Sequence, residues 1–389
     1  MHLHIAAIAA GSVSAIIWIY LLVARGRFWL ISTAPATTQT KNDGAVAVIV
    51  PARDEAGFIA QSISSLLQQN YAGPVHVFLV DDGSRDGTSH IARQAADALG
   101  GGSRLTIIAA QPLPSAWSGK LWAVQQGIEA ARALQPEFLL LTDADIVHAP
   151  DTISTLVSIA KTGAFDLVSF MVKLHCRRDA EKLLIPAFVF FFLMLYPPAW
   201  IADPRRQTAG AAGGCILIRP DALAKAGGIE SIRNEIIDDC ALARAVKGTG
   251  GRVCLAPTAS SLSIRPYRSA FDIGRMISRS AFNQLHHSAL MLIVALAGLT
   301  LTYLVPIALL FSDHIPLVAL GAVLWLAMSV AYLPTVMLYR LPALWALTLP
   351  ITAVFYMAAT IHSALRYWGG RGGEWKGRVQ DPARSRPAG

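Results

Sequence analysis

The chain has 389 residues, of which 54% are hydrophobic and only 15% are charged. This is too apolar for an ordinary soluble protein, so we expect membrane-spanning segments beside one large domain or two modest domains. The formal net charge of +8 suits an anionic membrane surface or a phosphate-bearing substrate. The basic residues form no pattern typical of nucleic-acid recognition, so nucleic acid is not an expected partner.

An apolar stretch at the N-terminus, residues 3–24, is long enough to cross a bilayer as a helix. Arg25 and Arg27 follow it directly. Because basic residues collect on the cytoplasmic side of membrane helices, the chain beyond this point is expected to lie in the cytoplasm. No basic residue precedes the stretch, which disfavours a cleaved signal peptide. Residues 1–27 are therefore predicted to be a transmembrane helix.

Residues 45–285 alternate short apolar runs with segments of helical periodicity. Four runs rich in Val, Ile and Leu are predicted to be buried strands: 45–51, 75–82, 105–110 and 138–145. Strand–helix alternation predicts an α/β fold with a mostly parallel sheet that is covered by helices on both faces. In such sheets ligands bind at the carboxyl ends of the strands, so the residues that follow the strands are candidates for a site.

Acidic side chains follow three of these runs: Asp54 and Glu55, then Asp82, then Asp143 and Asp145. Such carboxylates can accept hydrogen bonds from a nucleobase or a ribose. The pair at i and i+2 leaves the strand on one side, where its hard oxygen atoms suit Mg²⁺ or Mn²⁺. Such a metal would neutralise a leaving diphosphate. Each cluster alone could be a turn or a helix cap, but three at successive strand ends favour a nucleotide-diphosphate site.

The second half of this region supplies a candidate general base. Asp238 and Asp239 directly precede a helical run. An inverting sugar transfer would need such a carboxylate to accept the proton of the acceptor hydroxyl. Aspartate at a helix start is equally typical of a cap, and this alternative stays open at the level of sequence. Upstream, the glycines within 210–214 would let the backbone approach a sugar closely.

The C-terminal region is apolar again. Residues 286–365 hold three predicted membrane segments, and a basic tail follows at 366–389; the segments are 288–311, 315–338 and 342–364. A further apolar stretch, 183–202, lies inside the α/β region, and we expect it to be a helix in the membrane interface, with a buried core segment as the alternative. Three crossings would place the tail opposite the cytoplasm, against the usual charge rule, so this part of the topology stays open.

Several motifs occur in a fixed order: VIVPARDE, LVDDGSRDGT, DAD at 143–145, AGGCILIRPDAL and EIIDDC. This series resembles the family 2 glycosyltransferases of the GT-A fold, over about residues 45–285. A finer resemblance is to the bacterial hopene-associated glycosyltransferases, through WSGK at 117–120, EIIDDC, SAFNQL at 280–285 and GRGGEWKGR at 370–378.

The resemblance implies a membrane-bound inverting glycosyltransferase. Such an enzyme would use Mg²⁺ or Mn²⁺ to move a sugar from a UDP-sugar onto a lipid acceptor, such as a hopanoid or a polyisoprenoid. It would reside in the bacterial inner membrane, with several membrane passes and with its catalytic domain facing the cytoplasm.

The same resemblance implies roles on the nucleotide side. Asp54 or Glu55, together with Asp82, would hold the base and the ribose of a uridine diphosphate sugar. Asp143 would lie beside the ribose or the sugar and share the metal with Asp145, the principal metal ligand.

On the acceptor side, the resemblance makes Asp239 the catalytic base and Asp238 its support. Lys120 would help to neutralise phosphate, although an ordinary surface lysine is an equal alternative.

Two other functions stay open: a processive polysaccharide synthase of the same fold and a catalytically silent membrane scaffold. Processive members carry a QxxRW motif after the acidic pair, whereas here Arg279 is followed by Ser280 in place of Trp. That departure disfavours a synthase. Arg275 or Arg279 would contact either the diphosphate or the membrane surface. A silent scaffold predicts loss of the acidic clusters, yet all of them are present.

Overall fold

The computed structural model describes residues 2–31, 43–370, 374–375 and 378–379. The chain divides into two compact units. The α/β unit comprises Ser32–His175, Trp200–Arg265 and Glu374–Gly389, and the helical unit comprises Met1–Ile31, Cys176–Ala199 and Pro266–Gly373. From residue 371 onward, the predicted basic tail lies outside the described residues except for two short paired strands, Glu374–Trp375 and Arg378–Val379.

The α/β unit is built on eight strands: β1 (Val46–Ala52), β2 (Val75–Asp81), β3 (Leu105–Ala109), β4 (Phe138–Thr142), β5 (Ile146–His148), β6 (Leu167–Lys173), β7 (Cys215–Ile218) and β8 (Val253–Ser263). They form one sheet in the order β3-β2-β1-β4-β7-β6-β8-β5. β1 to β4 are parallel neighbours, β7 runs antiparallel between β4 and β6, β8 is parallel to β6, and β5 is antiparallel to β8. The predicted mostly parallel α/β sheet is therefore confirmed.

Burial explains why this sheet needs helices on both faces. Every residue of β1 and β4 is buried, as expected for parallel strands between two helical layers. The helices of the unit are α2 (Ile59–Leu67), α3 (Thr88–Ala98), α4 (Gly119–Ala131), α5 (Thr152–Thr162), α8 (Pro220–Lys225) and α9 (Asp238–Gly248), with short 3₁₀ turns at Gly102–Arg104, Arg132–Leu134 and Ile229–Ile232. α4 lies so close to β1 that a Cβ on Gly127 would be 2.6 Å from Ile49 Cγ2.

The directions of the strands determine where functional residues meet. β1, β2, β4, β6 and β8 all run the same way. Their carboxyl ends therefore lie along one edge of the sheet, where ligands of such sheets bind. This edge carries the predicted acidic residues after β1, β2 and β4, together with Arg265, two residues beyond β8.

The helical unit consists of α1 (His2–Ile19), α6 (Asp179–Leu195), α10 (Ala270–Gln284), α11 (Ala289–Leu299), α12 (Val305–Leu309), α13 (Ile315–Leu338) and α14 (Leu349–Trp368). Two π-helical turns, Tyr20–Ala24 and Thr300–Leu304, and a 3₁₀ segment, Ala343–Thr348, extend these helices, and α7 (Pro198–Ala202) straddles the boundary between the units. Five helical stretches in the described residues are long and apolar enough to cross a membrane: His4–Ala24, Asp179–Ala202, Ala289–Leu309, Ile315–Leu338 and Ala343–Trp368.

The stretch predicted to lie in the interface, 183–202, falls on α6 and α7. α6 packs against α10, α13 and α14 within the helical unit, and 61% of its most apolar stretch is buried. One of its carbonyls, that of Leu184, accepts a hydrogen bond of 3.0 Å from the Tyr356 hydroxyl. α6 is thus in large part a packed helix, and its relation to the membrane stays a prediction.

Candidate active site

A cavity opens at the carboxyl-end edge of the sheet. It encloses about 380 Å³ of atom-free space, part of which is continuous with solvent. Its lining residues come from β1, β4, β7, α4, α9 and the loops beside them: Pro51, Lys120, Leu121, Val124, Leu141, Thr142, Asp143, Gly213, Ile216, Ile229, Ile232, Asp238, Asp239 and Leu242. The four charged side chains of this lining, Lys120, Asp143, Asp238 and Asp239, were all predicted from the sequence.

Lys120 forms the cationic centre of the cavity. Ser118 caps α4 by accepting a hydrogen bond of 3.2 Å from Leu121 N, which places Lys120 in the first turn. Its Nζ lies 3.1 Å from Asp143 Oδ1 and 3.2 Å from Asp238 Oδ2. Burial opposes the charge of Lys120, but the surrounding carboxylates together outweigh burial and raise its pKa. Lys120 is therefore a charged group inside the cavity and not an ordinary surface lysine.

Asp239 lies in the first turn of α9, between two backbone donors. Cys240 N donates to its Oδ1 at 2.7 Å, and Gly213 N donates to its Oδ2 at 2.8 Å. Burial, followed by the charge of Asp238, raises the pKa of Asp239 to about 6, although Lys120 and the two N–H groups act in the opposite direction. Asp239 is thus a stronger base than an ordinary aspartate and is still ionised at neutral pH.

Gly213 is a position where a side chain would disturb this cluster. A Cβ built there would lie 3.3 Å from Asp239 Oδ2 and 3.4 Å from Lys120 Nζ. The first separation is tighter than ordinary van der Waals contact, and the second is at its lower limit. The glycine-rich segment at 210–214 therefore does allow close approach of the backbone, here to the charged groups of the cavity.

Asp143 connects the cavity to the end of β4. It keeps 38% of its side chain exposed to the cavity while its Oδ1 pairs with Lys120. The surrounding protein raises the pKa of Asp143 by burial, and the charge of Lys120 opposes that shift. A carboxylate in this setting gains from a further cation nearby.

Asp145 forms its ion pair with a different basic side chain from the one that pairs with Asp143. Arg265 donates from Nε to Asp145 Oδ2 at 2.8 Å, and its Nη2 pairs with Glu55 Oε2. The guanidinium group also lies 4.6 Å from the centre of the Phe58 ring. The two carboxylates predicted as a metal pair are therefore held by two separate side-chain cations, Lys120 and Arg265.

Asp143 and Asp145 together can bind a divalent cation in one common type of site, in which the protein supplies two carboxylates. In the described part of the chain, no group of three or more His, Cys, Asp and Glu side chains could hold a metal ion. Mg²⁺ is ordinarily bound by one or two carboxylates together with substrate phosphates and water, so a three-residue protein cluster is not required. Each of the two aspartates uses one oxygen in its ion pair and has a second oxygen with which it can bind a metal.

The acidic residues after β1 and β2 lie in two loops that brace each other. Asp54 has a positive φ of 52°, its Oδ1 accepts a hydrogen bond of 2.9 Å from Arg85 N, and its own N–H donates to Ser84 Oγ at 3.0 Å. Asp82 Oδ2 lies 3.2 Å from Arg53 Nη1, which also donates to the Asp82 carbonyl oxygen at 2.6 Å. None of these acidic residues is among those that line the cavity.

Sequence reasoning missed Arg53 and Arg265 as site residues. In the described residues, Arg53 Nε is one of the buried side-chain nitrogen and oxygen atoms without a hydrogen-bond partner. Arg53 directly follows β1, so its place at a strand end was a usable signal. Arg265 follows β8, which was not predicted as a strand, so its place at the same edge was not visible.

Comparisons with known proteins agree with this geometry. A family model described as "Glycosyltransferase like family 2" matches residues 43–280. An N-acetylglucosaminyltransferase from Rhizobium leguminosarum bv. viciae is 31% identical over 154 residues, which is 39% of this chain and 34% of the relative. An undecaprenyl-phosphate 4-deoxy-4-formamido-L-arabinose transferase from Aeromonas hydrophila is 30% identical over 149 residues, which is 36% of this chain and 41% of the relative. The matched stretch thus spans well under half the length of these curated relatives.

A solved structure shares the fold over most of its length. The mannosyltransferase from Pyrobaculum calidifontis, in complex with GDP-Man and Mn²⁺, superposes with a TM-score of 0.55 at 21% identity, and the match covers 92% of this chain and 97% of that chain. The family match alone covers more than half of the chain. The chain therefore belongs to the family 2 glycosyltransferases and has the GT-A fold.

Proposed function

We propose that this enzyme is a membrane-bound inverting glycosyltransferase that moves a sugar from a UDP-sugar onto a lipid acceptor. The observation that carries this proposal is Asp239, a half-buried carboxylate with a raised pKa in a cavity shared with Asp143, Asp238 and Lys120. Such a group can accept a proton in a cavity whose cation, Lys120, can help to neutralise a phosphate.

Asp239 is the proposed general base. As the hydroxyl oxygen of the acceptor forms a bond to the anomeric carbon, its proton passes to a carboxylate oxygen of Asp239, and the bond from that carbon to the diphosphate oxygen breaks. A single displacement from the opposite face inverts the anomeric carbon. Asp238 supports the base in two ways, because its charge raises the pKa of Asp239 and its Oδ2 holds Lys120 at 3.2 Å.

The nucleoside is proposed to bind beside β1 and β2. We assign its recognition to Asp82 and Glu55, with Arg53 as an added partner, because Arg53 Nε is buried and unsatisfied. Asp54 is instead proposed to brace the loop, since its carboxylate already accepts the Arg85 N–H. The choice of uridine rests on the sequence motifs, and the Pyrobaculum neighbour, which holds GDP-Man, makes guanosine the alternative to test.

The diphosphate is proposed to lie between the nucleoside site and the cavity. Asp145 and Asp143 would hold Mg²⁺ or Mn²⁺ there, and the metal would supply positive charge for the departing diphosphate. Lys120, 3.1 Å from Asp143, adds a fixed positive charge next to the same place. Asp143 would also lie close to the ribose or the sugar.

A lipid acceptor is supported by the relatives and by the composition. One relative is named as an undecaprenyl-phosphate transferase, and the described chain holds five helical stretches that could cross a membrane. We propose a hopanoid or a polyisoprenoid as the acceptor. The hopanoid choice rests on the segments WSGK, EIIDDC and SAFNQL, and on GRGGEWKGR at 370–378, most of which lies outside the described residues.

We further propose that the enzyme resides in the bacterial inner membrane with the α/β unit in the cytoplasm. Arg25 and Arg27 directly after the first span support this orientation. Connectivity also bears on α6, which lies between β6 and β7 in the chain although these strands pair with each other. A single crossing would place paired strands on opposite sides of the bilayer, which supports an α6 that enters the membrane or its interface without crossing.

The proposal is tested with the purified full-length protein in liposomes. UDP-glucose, UDP-N-acetylglucosamine and GDP-mannose are each offered with a hopanoid bearing a free hydroxyl and, separately, with undecaprenyl phosphate. We expect Mn²⁺-stimulated transfer from a UDP-sugar, and NMR of the product should show the anomeric configuration opposite to that of the sugar donor. Retention of configuration would refute the inverting mechanism, and transfer from GDP-mannose alone would refute the uridine assignment.

A further inference from the structure

Arg265 is a charged residue at the carboxyl-end edge of the sheet to which the proposed function assigns no role. It bridges two carboxylates that follow neighbouring strands of the sheet, Asp145 after β4 and Glu55 after β1. The carboxylates keep only 14% and 8% of their side-chain surface exposed, whereas Arg265 keeps 36%. Arg265 is therefore the accessible member of the trio and the one with room to move.

A backbone hydrogen bond fixes the segment that carries Arg265, whereas side-chain contacts hold its charged end. Ile264 N donates to the Asp145 carbonyl oxygen at 3.0 Å, which fixes the start of the segment beside Asp145. The guanidinium itself is held by the two ion pairs and by its position over the Phe58 ring. A long side chain on a fixed backbone can exchange one set of negative partners for another by rotating.

A divalent cation and Arg265 compete for the same carboxylate. Arg265 Nε lies 2.8 Å from Asp145 Oδ2, so the guanidinium already neutralises the carboxylate that would bind the metal. A metal on the other oxygen would bring two positive charges within a few ångströms of each other, which is unfavourable in a partly buried site. Binding of a metal at Asp145 therefore favours departure of the guanidinium.

A diphosphate offers the departing guanidinium a matching partner. Arginine binds phosphate oxygens through paired N–H groups, in the same geometry that it uses for carboxylates. We propose that Arg265 is a counter-ion that closes the metal position in the absence of nucleotide and moves to the diphosphate when the sugar donor and the metal bind together. This inference rests on the proposed assignment of the metal to Asp145.

The consequence is a coupling between metal and nucleotide. Without a diphosphate, the metal must displace Arg265 and leave its charge without a new partner, so metal binding is weak. With a diphosphate, the displaced charge is compensated. By thermodynamic reciprocity, the metal must tighten nucleotide binding by the same factor by which the nucleotide tightens metal binding.

The test is a titration of Mn²⁺ into the full-length protein in detergent, followed by electron paramagnetic resonance, with and without UDP. Wild-type protein should bind Mn²⁺ at least about tenfold more tightly when UDP is present, a coupling in the usual range. Arg265→Gln should bind Mn²⁺ alone roughly tenfold more tightly than wild type, and UDP should then add much less. Arg265→Lys keeps the charge without the paired N–H groups, and its Mn²⁺ affinity should fall between the two.

Two controls separate this inference from the proposed function. Arg132→Gln removes an arginine paired with Glu129 on the exposed surface of α4 and should change nothing. Asp145→Asn should abolish Mn²⁺ binding, and if it does not, the metal assignment and this inference are both wrong. If Asp145→Asn abolishes binding while both Arg265 variants match the wild type with and without UDP, only the role of Arg265 is overturned. The readout does not depend on turnover, so failure of sugar transfer would leave this result interpretable.

Discussion

Two aspartates in different regions of the α/β unit accept similar hydrogen bonds, but their pKa values shift in opposite directions. Asp86, in the loop between β2 and α3, accepts from Ala56 N at 2.9 Å and from Thr88 N at 3.1 Å. Asp239, at the start of α9, also accepts from two backbone N–H groups. Yet the pKa of Asp86 is lowered and that of Asp239 is raised to about 6.

Burial and neighbouring charge account for the difference. Asp86 is exposed, so its slight burial is outweighed by the hydrogen bonds from Thr88 and Ala56, which favour the charged form. Asp239 is enclosed by the cavity wall, and burial together with Asp238 outweighs its two hydrogen bonds and Lys120. Hydrogen bonds to a carboxylate therefore do not by themselves distinguish a structural brace from a base. What distinguishes the two is how far the surrounding protein encloses the carboxylate and which charges lie beside it.

The largest effect that this comparison predicts is on turnover. Asp239→Asn should lower kcat by about 10²–10⁴-fold, because an amide cannot accept the proton of the acceptor hydroxyl. The affinity for the sugar donor should stay within a few-fold, since the base contacts the acceptor. Asp238→Asn should be milder. Steady-state kinetics and isothermal titration with UDP give the two quantities.

The matched control is Asp86→Asn, the same chemical change at an exposed aspartate that joins two loops by hydrogen bonds. Its kcat should stay within a few-fold of the wild-type value, while its melting temperature should fall because bonds between the two loops are weakened. A loss of turnover in Asp86→Asn as large as that in Asp239→Asn would show that the two aspartates do not differ in the way described.

A smaller effect is expected on nucleotide affinity at the β1 and β2 loops. Asp82→Asn should weaken UDP binding roughly tenfold, the loss typical of one charge-assisted hydrogen bond. Asp54→Asn should change it less than about twofold, because an amide oxygen can still accept the Arg85 N–H and asparagine tolerates the positive φ of this position. Titration of UDP into each variant measures the two affinities. If Asp54→Asn weakened UDP binding more than Asp82→Asn, the roles of the two residues would be exchanged.

Much of this site could be predicted because its residues stand beside clear local patterns. Asp143 follows an apolar run that could only be a buried strand, and Asp238 and Asp239 directly precede a helical run. Lys120 was found through a short motif, although its place between Asp143 and Asp238 could not be read from the sequence. Local periodicity and short motifs thus located the charged residues of the cavity before any contact among them was known.

The remaining features depend on contacts between distant parts of the chain. Arg265 lies 120 positions from Asp145 and 210 positions from Glu55, and no local pattern connects them. β7 has only four residues, and β8 carries Pro257 and several polar residues, so neither resembles the continuous apolar runs of β1 and β4. The pairing of β6 with both β7 and β8 is what brings Arg265 to the edge of the sheet, and pairing is decided by tertiary packing.

The pH dependence of kcat/KM tests most directly whether the enclosed carboxylate is the proton acceptor. The pKa of Asp239 is about 6, and Asp238 and Lys120 are the charged groups that face it. A base must be ionised, so kcat/KM of the wild type should be level above this pH and fall about tenfold per pH unit below it. The residual activity of Asp239→Asn should lack that decline, because the titrating group has been removed. A wild-type profile that stays flat from pH 5 to 8, or a decline near pH 6 that persists in Asp239→Asn, would contradict the assignment of Asp239 as the base.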